Sequence, residues 1–307
     1  TCALPISVID FDSQFDGMAW FQERKLSRFQ TFCINVLKAG PTPKHVAIIM
    51  DGNRRYALKN EISKLEGHSI GFERLSETLL WCRELGIKEV TVYAFSTENF
   101  KRTKEEVDGL MDLARKKFQQ LLSEREKLEQ HQVCIRIIGN LSLLPQDLQD
   151  LIAEITTMTK DFKNACLNVA FAYSARYEIL EAVKSTIRGV DKGLIRREDI
   201  STELMEKCLL TRNSSKLDLL IRTSGEIRLS DFLLWQSGFS VIHFAEVLWP
   251  EFTLWHFLGA VFHYQRQQVM LKKFFQNLDQ STYRELSLGT DRETCSVENF
   301  NNFSDVT

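Results

Sequence analysis

Long hydrophobic runs are missing from this sequence of 307 residues, because no stretch approaches the roughly 18 apolar residues of a membrane span. Any contact with a membrane is therefore expected to be peripheral. A large charge of one sign is missing too, since 39 basic residues face 41 acidic ones, for a net charge of −2. A near-neutral chain is not expected to bind nucleic acid, so any basic site must be local.

Cysteine is present without a pattern, because the seven cysteines form no Cys-x-x-Cys pair and are odd in number. Neither a zinc cage nor a disulfide framework is indicated. The chain also has no Gly-x-x-x-x-Gly-Lys-Ser/Thr loop, no Gly-x-Gly-x-x-Gly fingerprint, no His-Glu-x-x-His helix and no paired aspartate-rich motifs. These absences argue against P-loop nucleotide hydrolysis, dinucleotide binding and zinc proteolysis.

What the sequence does contain is an alternation of short apolar runs and segments with helical spacing. The predicted strands are His45–Met50, Glu89–Phe95, Val133–Ile138, Leu167–Ala172, Leu217–Ile221 and Val241–Phe244. The predicted helices between them are Phe72–Leu85, Lys104–Gln130, Leu148–Lys160, Tyr177–Ile187 and Thr202–Leu209. This order predicts an α/β fold, a single domain with a mostly parallel central sheet flanked by helices.

Four segments are predicted along the chain. Residues 1–17 form a disordered extension, residues 18–40 an amphipathic helix, residues 41–275 the α/β domain and residues 276–307 a polar tail. The helix, from Trp20 to Ala39, either packs on the domain or turns its aromatic face to lipid or an acyl chain. A second apolar face follows the last strand and is either core or a subunit interface; it comprises Leu254, Phe257, Leu258, Val261 and Phe262.

The end of the first strand carries Asp51, Gly52, Asn53, Arg54 and Arg55 in succession. In parallel sheets, ligands bind beyond the carboxyl ends of the strands. A carboxylate, a glycine that lets backbone approach and two arginines suit a site for phosphate and Mg²⁺. One carboxylate holds Mg²⁺ weakly, so diphosphate oxygens are expected to complete its shell. A solvated turn is the alternative interpretation.

Two further strand ends carry residues of the same kind. The second strand leads to Ser96, Asn99 and Arg102, and the fifth to Arg222, Arg228 and Ser230. Arginine's planar fork suits phosphate oxygens, so this cluster predicts a shared anion site for two diphosphates. His68 either reaches this pocket or caps a helix. A wall of apolar residues is available for a lipid tunnel, or for a plain core helix; it comprises Val107, Leu110, Met111, Ala114, Phe118, Leu121 and Leu122.

Several long motifs resemble those of the cis-prenyltransferases. They are the blocks from His45 to Tyr56, Ser96 to Arg102 and Ile221 to Ser230, with Phe232–Gln236 and Leu248–Glu251. The resemblance runs from about Met18 to about Gln276. It implies a single α/β domain and an enzyme that adds isopentenyl diphosphate units, in the cis configuration, to farnesyl diphosphate. The implied product is dehydrodolichyl diphosphate, the long-chain precursor of dolichol.

The resemblance also implies a role for each matching residue. Asp51 is similar to the family's essential aspartate, which holds Mg²⁺ and assists catalysis together with Ser96 and Asn99. The residues implied to bind the allylic diphosphate are Gly52, Asn53, Arg54, Arg55, His68 and Arg102. The residues implied to bind isopentenyl diphosphate are Arg222, Arg228 and Ser230.

The sequence departs from the bacterial members at informative positions. Val241 stands where they carry glutamate, Tyr56 and Phe100 where they usually carry tryptophan, and no Arg-x-Gly follows Gln276. These departures fit the eukaryotic arrangement, in which an accessory subunit of the Nogo-B receptor type supplies Arg-x-Gly. The implied location is the cytosolic face of the endoplasmic reticulum membrane, with peripheral contact. Two rivals remain open: a non-catalytic accessory subunit, and another phosphate-binding α/β enzyme such as a phosphatase.

Overall fold

The computed structural model describes residue 20, residues 26–268 and residue 270. The predicted extension at residues 1–17 and the predicted tail at residues 276–307 lie outside the described residues. Among the helices of the described part, none has the length and apolarity that crossing a bilayer requires.

The strands follow the predicted apolar runs closely. They are β1 (His45–Ile49), β2 (Glu89–Ser96), β3 (Val133–Ile138), β4 (Ala165–Tyr173), β5 (Leu219–Arg222) and β6 (Val241–Phe244). All neighbouring strands pair in parallel, in the order β3-β4-β2-β1-β5-β6. The predicted α/β fold with a parallel sheet is therefore confirmed.

Helices precede, separate or follow these strands. They are α1 (Arg28–Lys38), α2 (Asn53–Lys59), α3 (Lys64–Leu85), α4 (Lys104–Ser123), α5 (Arg125–His131), α6 (Gln146–Thr159), α7 (Ala175–Asp191), α8 (Thr202–Cys208) and α9 (residues 254–268). The prediction of one helix over Lys104–Gln130 was wrong, because Glu124 leaves helical geometry at φ −91° and ψ 21°. The Ser123 hydroxyl donates to the Gln120 carbonyl at 2.7 Å and closes the last turn of α4.

The first helix is shorter than predicted. It begins at Arg28 because Ser27 caps it: the Ser27 hydroxyl accepts from the Gln30 amide at 3.2 Å, and the Gln30 side chain accepts from the Ser27 amide at 2.9 Å. Trp20 lies outside this helix and is buried against the domain. Phe29, Phe32 and Val36 form an exposed apolar stripe on α1.

The apolar face of α9 belongs to the core. Leu254, Phe257, Leu258 and Val261 are buried within the described chain, whereas Phe262 is exposed. Of the two interpretations of this face, core or subunit interface, the core is therefore correct for its four buried members. Helical apolar spacing is the same whether the face meets its own sheet or another chain, which is why the sequence did not distinguish them.

Strand order positions the candidate site. The chain moves from β1 to β2 on one side of β1, and later returns to β5 on its other side. Such a reversal opens a crevice beyond the carboxyl end of the central strand. Ile49, the last residue of β1, pairs with Tyr93 of β2 and Arg222 of β5. The residues that follow these strands are thus brought to one crevice.

Candidate active site

A cavity of about 640 Å³ opens at the carboxyl ends of β1, β2 and β5. Most of the predicted site residues line it, namely Asp51, Asn53, Arg54, His68, Ser96, Asn99, Arg102, Arg222, Arg228 and Ser230. Gly52 and Arg55 are the predicted site residues that do not line it. Three strand ends that are far apart in sequence therefore share one cavity.

Asp51 is held rigidly at the end of β1. Its amide donates to the Thr223 hydroxyl at 3.1 Å, and its carbonyl accepts from the Trp249 amide at 2.9 Å. Its carboxylate Oδ2 accepts from Arg222 Nη2 at 2.9 Å. The Asp51 side chain is 31% exposed, which leaves carboxylate lone pairs open to the cavity.

Gly52 and Arg55 shape the loop without entering the cavity. Gly52 has φ +111°, and a Cβ there would lie 3.0 Å from the Ser224 hydroxyl, so a larger residue would be strained. Arg55 donates to the Ser224 carbonyl at 3.2 Å and lies 3.6 Å from Glu226. Arg55 Nη2 also lies 3.7 Å from Asp51 Oδ1, so Arg55 borders the cavity at Asp51 without lining it.

Arg54 and Arg102 share one carboxylate, that of Glu106 on α4. Arg102 donates to Glu106 Oε1 at 3.0 Å, and Arg54 lies 3.8 Å from the same oxygen. Burial, and then the charge of Arg54, lower the pKa of Arg102. Two guanidinium groups that repel each other beside a cavity are stabilised when an anion binds between them.

His68 and Asn53 both line the cavity, and each carries a buried polar atom. His68 Nε2 and Asn53 Oδ1 have no hydrogen-bond partner among the described residues. Burial, and then the charge of Arg102, lower the pKa of His68 to about 4, so its imidazole is neutral at pH 7. Ser63 caps α3, with its hydroxyl accepting from the Glu66 amide at 3.1 Å. The helix-capping interpretation of His68 was therefore wrong.

The segment from Gly67 to Gly71 has the spacing Gly-x-Ser-x-Gly, which in hydrolases marks a nucleophilic serine on a strand-to-helix turn. Here the segment lies within α3, and Ser69 is buried. The structural context of a nucleophile elbow is absent at this segment. A serine-hydrolase function is therefore not supported.

Ser96 and Asn99 form a short hydrogen-bonded turn after β2. Asn99 Oδ1 accepts from the Ser96 amide at 3.1 Å, and the Ser96 hydroxyl accepts from the Glu98 amide at 3.1 Å. This arrangement fixes the carboxamide oxygen of Asn99 and leaves its NH₂ group for a ligand. Both side chains line the cavity.

Arg222 and Ser230 are joined by a hydrogen bond. Arg222 Nη1 donates to Ser230 Oγ at 2.7 Å and also to the Arg228 carbonyl. The Arg222 side chain is 4% exposed, so its guanidinium is held by the protein at the cavity floor. Arg228 is largely exposed and pairs with Glu226. One buried and one exposed arginine therefore flank the same loop.

Beyond the charged residues, the cavity continues between apolar side chains. Those from α3 and α4 are Phe72, Leu75, Leu110, Leu113, Ala114 and Phe118. The predicted wall was right for Leu110, Ala114 and Phe118, while Met111 and Leu121 are buried in the core. Val107 and Leu122 pack against that core instead. A polar mouth and an apolar interior suit an amphiphilic ligand with an anionic end.

Trp20 stands at the inner part of this cavity. Its indole N–H donates to the Lys117 carbonyl at 2.9 Å, and its ring packs edge-on against Phe72 at 4.6 Å between centroids. It also lines a neighbouring, smaller and mostly apolar cavity of about 140 Å³. Trp20, which was predicted to lie on an amphipathic helix, thus borders the apolar interior of the cavity.

Sequence reasoning missed several cavity residues, among them Tyr93, Arg176 and Asp231. Tyr93 occupies the last part of β2, and its hydroxyl donates to the Ser230 carbonyl at 3.3 Å. Arg176 follows β4, so the rule applied to the other strand ends would have found it. Asp231 directly follows the motif block from Ile221 to Ser230 and was not included in it.

Mg²⁺ fits the oxygen donors of this cavity if diphosphate oxygens complete its coordination shell. No three His, Cys, Asp or Glu side chains converge on a metal position within the part of the chain that the structure describes. Asp51 offers carboxylate oxygens to the cavity, whereas Asn53 Oδ1 is buried and faces Gly71 of α3. Magnesium prefers oxygen ligands and often keeps substrate phosphates in its shell. Asp51 would therefore hold the ion together with diphosphate oxygens.

The crevice position, the arginines and the apolar interior together are those of an α/β transferase acting on prenyl diphosphates. The sequence matches the family described as putative undecaprenyl diphosphate synthase over residues 49–271. The chain belongs to this family of cis-prenyltransferases, as the resemblance of its motifs predicted. It is a transferase that makes polyprenyl diphosphates.

Named relatives support this membership. The chain is 56% identical to the human dehydrodolichyl diphosphate synthase complex subunit over 256 residues, covering 83% of this chain and 77% of the human protein. It is 45% identical to the geranylgeranyl-diphosphate-specific tritrans,polycis-undecaprenyl-diphosphate synthase of Pyrococcus abyssi over 240 residues, covering 78% and 90% of the two chains.

A solved structure is similar as well. Lavandulyl diphosphate synthase from Lavandula x intermedia, in complex with dimethylallyl diphosphate, superposes with a TM-score of 0.69 at 36% identity. The match covers 73% of this chain and 95% of that chain. Shared fold and substantial identity therefore coincide.

Proposed function

We propose that this chain condenses isopentenyl diphosphate units onto farnesyl diphosphate and so makes dehydrodolichyl diphosphate, the precursor of dolichol. The observation that carries the proposal is the single cavity with two arginine groups at its mouth and an apolar interior. Two arginine groups match two diphosphates, and the interior matches a growing hydrocarbon. A small polar substrate of a phosphatase would leave that interior unused.

The two arginine groups are assigned to different substrates. Arg54 and Arg102 lie beside Asn53 and the neutral His68, and would hold the allylic diphosphate, with Gly52 allowing close backbone approach. Arg222, Arg228 and Ser230 follow another strand and would hold isopentenyl diphosphate. Loss of the allylic diphosphate builds negative charge on the leaving group, and fixed guanidinium groups stabilise that charge.

Asp51 stands between the two groups, since it follows β1, the strand between β2 and β5. When bound, Mg²⁺ supplies electrophilic stabilisation of diphosphate oxygens. Asp51 would orient it, while Arg222 fixes the Asp51 carboxylate at 2.9 Å. Ser96 and Asn99 would lie near the reacting carbon atoms, with the Asn99 NH₂ group available to a diphosphate oxygen.

A second subunit is part of the proposal. Relatives from Homo sapiens, Mus musculus and Schizosaccharomyces pombe carry names that describe a complex subunit. The cavity mouth includes the exposed Arg228 and Arg54, which are 65% and 53% exposed and are open to a partner. An accessory chain of the Nogo-B receptor type, with a C-terminal Arg-x-Gly, would close over the diphosphates there.

The proposed location is the cytosolic face of the endoplasmic reticulum membrane. Its support is the exposed stripe of Phe29, Phe32 and Val36 on α1, which lies beside exposed Trp255 of α9, with Phe29 and Trp255 ring centroids 5.8 Å apart. Aromatic side chains on an amphipathic helix are typical of an interfacial membrane contact. Such contact would bring the product's hydrocarbon to lipid.

The rival interpretation as a non-catalytic accessory subunit is disfavoured by the intact set of Asp51 with its arginines. Incubation of the purified chain with radiolabelled isopentenyl diphosphate and Mg²⁺ tests the proposal, with either farnesyl or geranylgeranyl diphosphate as the allylic substrate. We expect long-chain product from farnesyl diphosphate when the accessory subunit is present. Failure to incorporate label with either substrate and with the partner would overturn the proposal.

A further inference from the structure

Asp231 fastens the loop after β5 to the start of α7. Its Oδ1 accepts from the Arg176 amide at 3.1 Å, and its Oδ2 accepts from the Ser174 hydroxyl at 2.7 Å. Its carbonyl accepts from the Ala175 amide at 2.8 Å. A carboxylate at the N-terminus of a long helix is favoured by the free amides and the helix dipole. The loop and the helix are thereby joined at several atoms.

The contacts of Asp231 with α7 lie at a strained segment of the backbone after β5. Ser230, Asp231 and Leu233 have φ values of 48°, 61° and 45°, in the left-handed region that residues other than glycine seldom adopt. Such residues persist where surrounding contacts over-determine them. The contacts of Asp231 with α7 therefore position Ser230, whose hydroxyl accepts from Arg222 at 2.7 Å.

The Arg176 side chain is held by the same carboxylate. Its Nε donates to Asp231 Oδ2 at 3.1 Å, while the side chain is 75% exposed and lines the cavity. Among the described residues, no hydrogen bond engages its two terminal nitrogens. The other cavity arginines are similarly paired, Arg222 with Asp51 and Arg228 with Glu226. The Arg176 guanidinium is thus already oriented by Asp231, and its two terminal nitrogens are available to bind an anion.

We propose that Arg176 is a further diphosphate-binding residue on the isopentenyl diphosphate side of the cavity, and that Asp231 is the positioning residue that orients it. This inference rests on the proposed function. Asp231 is adjacent in sequence to Ser230, so Arg176 enters the cavity from the side of Arg222 rather than that of Arg54. Its terminal nitrogens present two donors to phosphate oxygens.

The competing interpretation is structural: Arg176 would merely help Asp231 to cap α7. In that case the backbone amide would suffice, and removal of the guanidinium would leave substrate affinity unchanged. Calorimetric titration of isopentenyl diphosphate distinguishes the two, in protein saturated with the unreactive analogue farnesyl thiodiphosphate to fill the allylic pocket. Arg188→Gln is the matched control, because Arg188 is exposed on the same helix and does not line the cavity.

We expect Arg176→Gln to raise the Kd for isopentenyl diphosphate about tenfold. That factor corresponds to the lower end of the free energy that one charge-assisted hydrogen bond contributes. Arg176→Lys should raise it less, because charge is kept and the fork is lost. The Kd for farnesyl thiodiphosphate and the Tm should stay unchanged, and Arg188→Gln should match the wild type. An unchanged Kd in Arg176→Gln, or equal weakening of both ligands, would overturn the role of Arg176.

The positioning role is tested by a double-mutant cycle with Asp231→Asn. If Asp231 acts through Arg176, the two substitutions together should weaken binding by less than the product of their separate effects. Full additivity would overturn this part of the inference. Wild-type protein that binds no isopentenyl diphosphate even with the accessory subunit present would instead count against the proposed function, so the two failures are distinguishable.

Discussion

The Asp51 carboxylate and the Arg222 guanidinium meet across two adjacent strand ends, with Oδ2 and Nη2 2.9 Å apart. They are 171 positions apart in the sequence. Arg222 is almost fully buried, whereas Asp51 remains partly open to the cavity. The buried partner therefore orients the open one, and Asp51 reaches the substrates from a fixed position.

Replacement of Asp51 tests its proposed place in the reaction. Asp51→Asn keeps the shape of the side chain but removes the charge that Mg²⁺ and Arg222 require. We expect turnover to fall on the order of 10²-fold or more, as loss of a metal-held transition-state contact does. Circular dichroism should show a folded protein. Near-normal turnover in a folded variant would refute the role of Asp51.

Lysine substitutions test the assignment of the two pockets. Arg222→Lys and Arg228→Lys keep the positive charge and lose the fork, so the KM for isopentenyl diphosphate should rise most. Arg54→Lys is the matched variant on the other side and should mainly raise the KM for the allylic substrate. Steady-state kinetics with each substrate varied separately would measure this. If Arg222→Lys and Arg228→Lys instead raised mainly the KM for the allylic substrate, the assignment of the two pockets would be reversed.

His68 should make stability depend on pH. Because its pKa is lowered to about 4 in the folded protein, the unfolded chain binds the proton more readily between pH 6.5 and 4. The free energy of unfolding is therefore unaffected by this group above pH 6.5. It falls as the pH falls below 6.5, by about 2 kcal/mol at pH 5. Urea unfolding of His68→Gln should therefore show a shallower loss between pH 6.5 and 5.

The control for that experiment is Gln119→Asn, because Gln119 is an exposed, non-titrating residue of α4 that does not line the cavity. Its unfolding free energy should follow the wild-type pH dependence. If His68→Gln and the wild type lost stability in parallel, the imidazole of His68 would not be the buried neutral group that the geometry indicates.

The exposed stripe on α1 predicts binding to lipid. Phe29→Ser with Phe32→Ser should lower partitioning onto phosphatidylcholine vesicles at least about tenfold, since burial of each ring is worth about 1.5–3 kcal/mol. Asn35→Ser, an exposed polar position on the same helix, should partition like the wild type. Vesicle sedimentation measures both. Equal binding by all three proteins would show that α1 does not make the contact.

Activity should depend on the proposed partner. The chain alone should be weakly active, and an accessory subunit ending in Arg-x-Gly should raise specific activity by about one to two decades for each added charge-assisted contact. A partner without its last few residues should bind and fail to stimulate. Full activity of the isolated chain would mean that it completes its own site.

Much of the fold was predictable because local and global preferences agree. Parallel strands that are buried on both faces carry apolar residues on both faces. The run from Val46 to Ile49 has this pattern, and all of its residues are buried in the sheet. The rule that ligands bind beyond strand ends then selected Asp51, Arg102 and Arg222. The same rule was not applied after β4, and Arg176 was therefore missed.

Other features depend on contacts between distant segments. Arg55 carries the same charge as Arg54 and follows it directly, yet it bonds Ser224 and borders Asp51, whereas Arg54 lines the cavity. Trp20 was assigned to a helix, and its burial beside Phe72 and Lys117 was not foreseen. Residue type alone does not encode which way a side chain turns from a tight loop.

The sequence by itself determined the order of strands and helices, the family and the residues able to bind diphosphate, because these depend on local patterns and motif spacing. The tertiary structure decided which of those residues share a cavity, since that depends on β5 lying beside β1 across a long crossover. It also decided that most of the apolar face of α9 is core, whereas Phe29, Phe32 and Val36 of α1 are exposed. Equal helical spacing satisfies both environments, and packing against the sheet separates them.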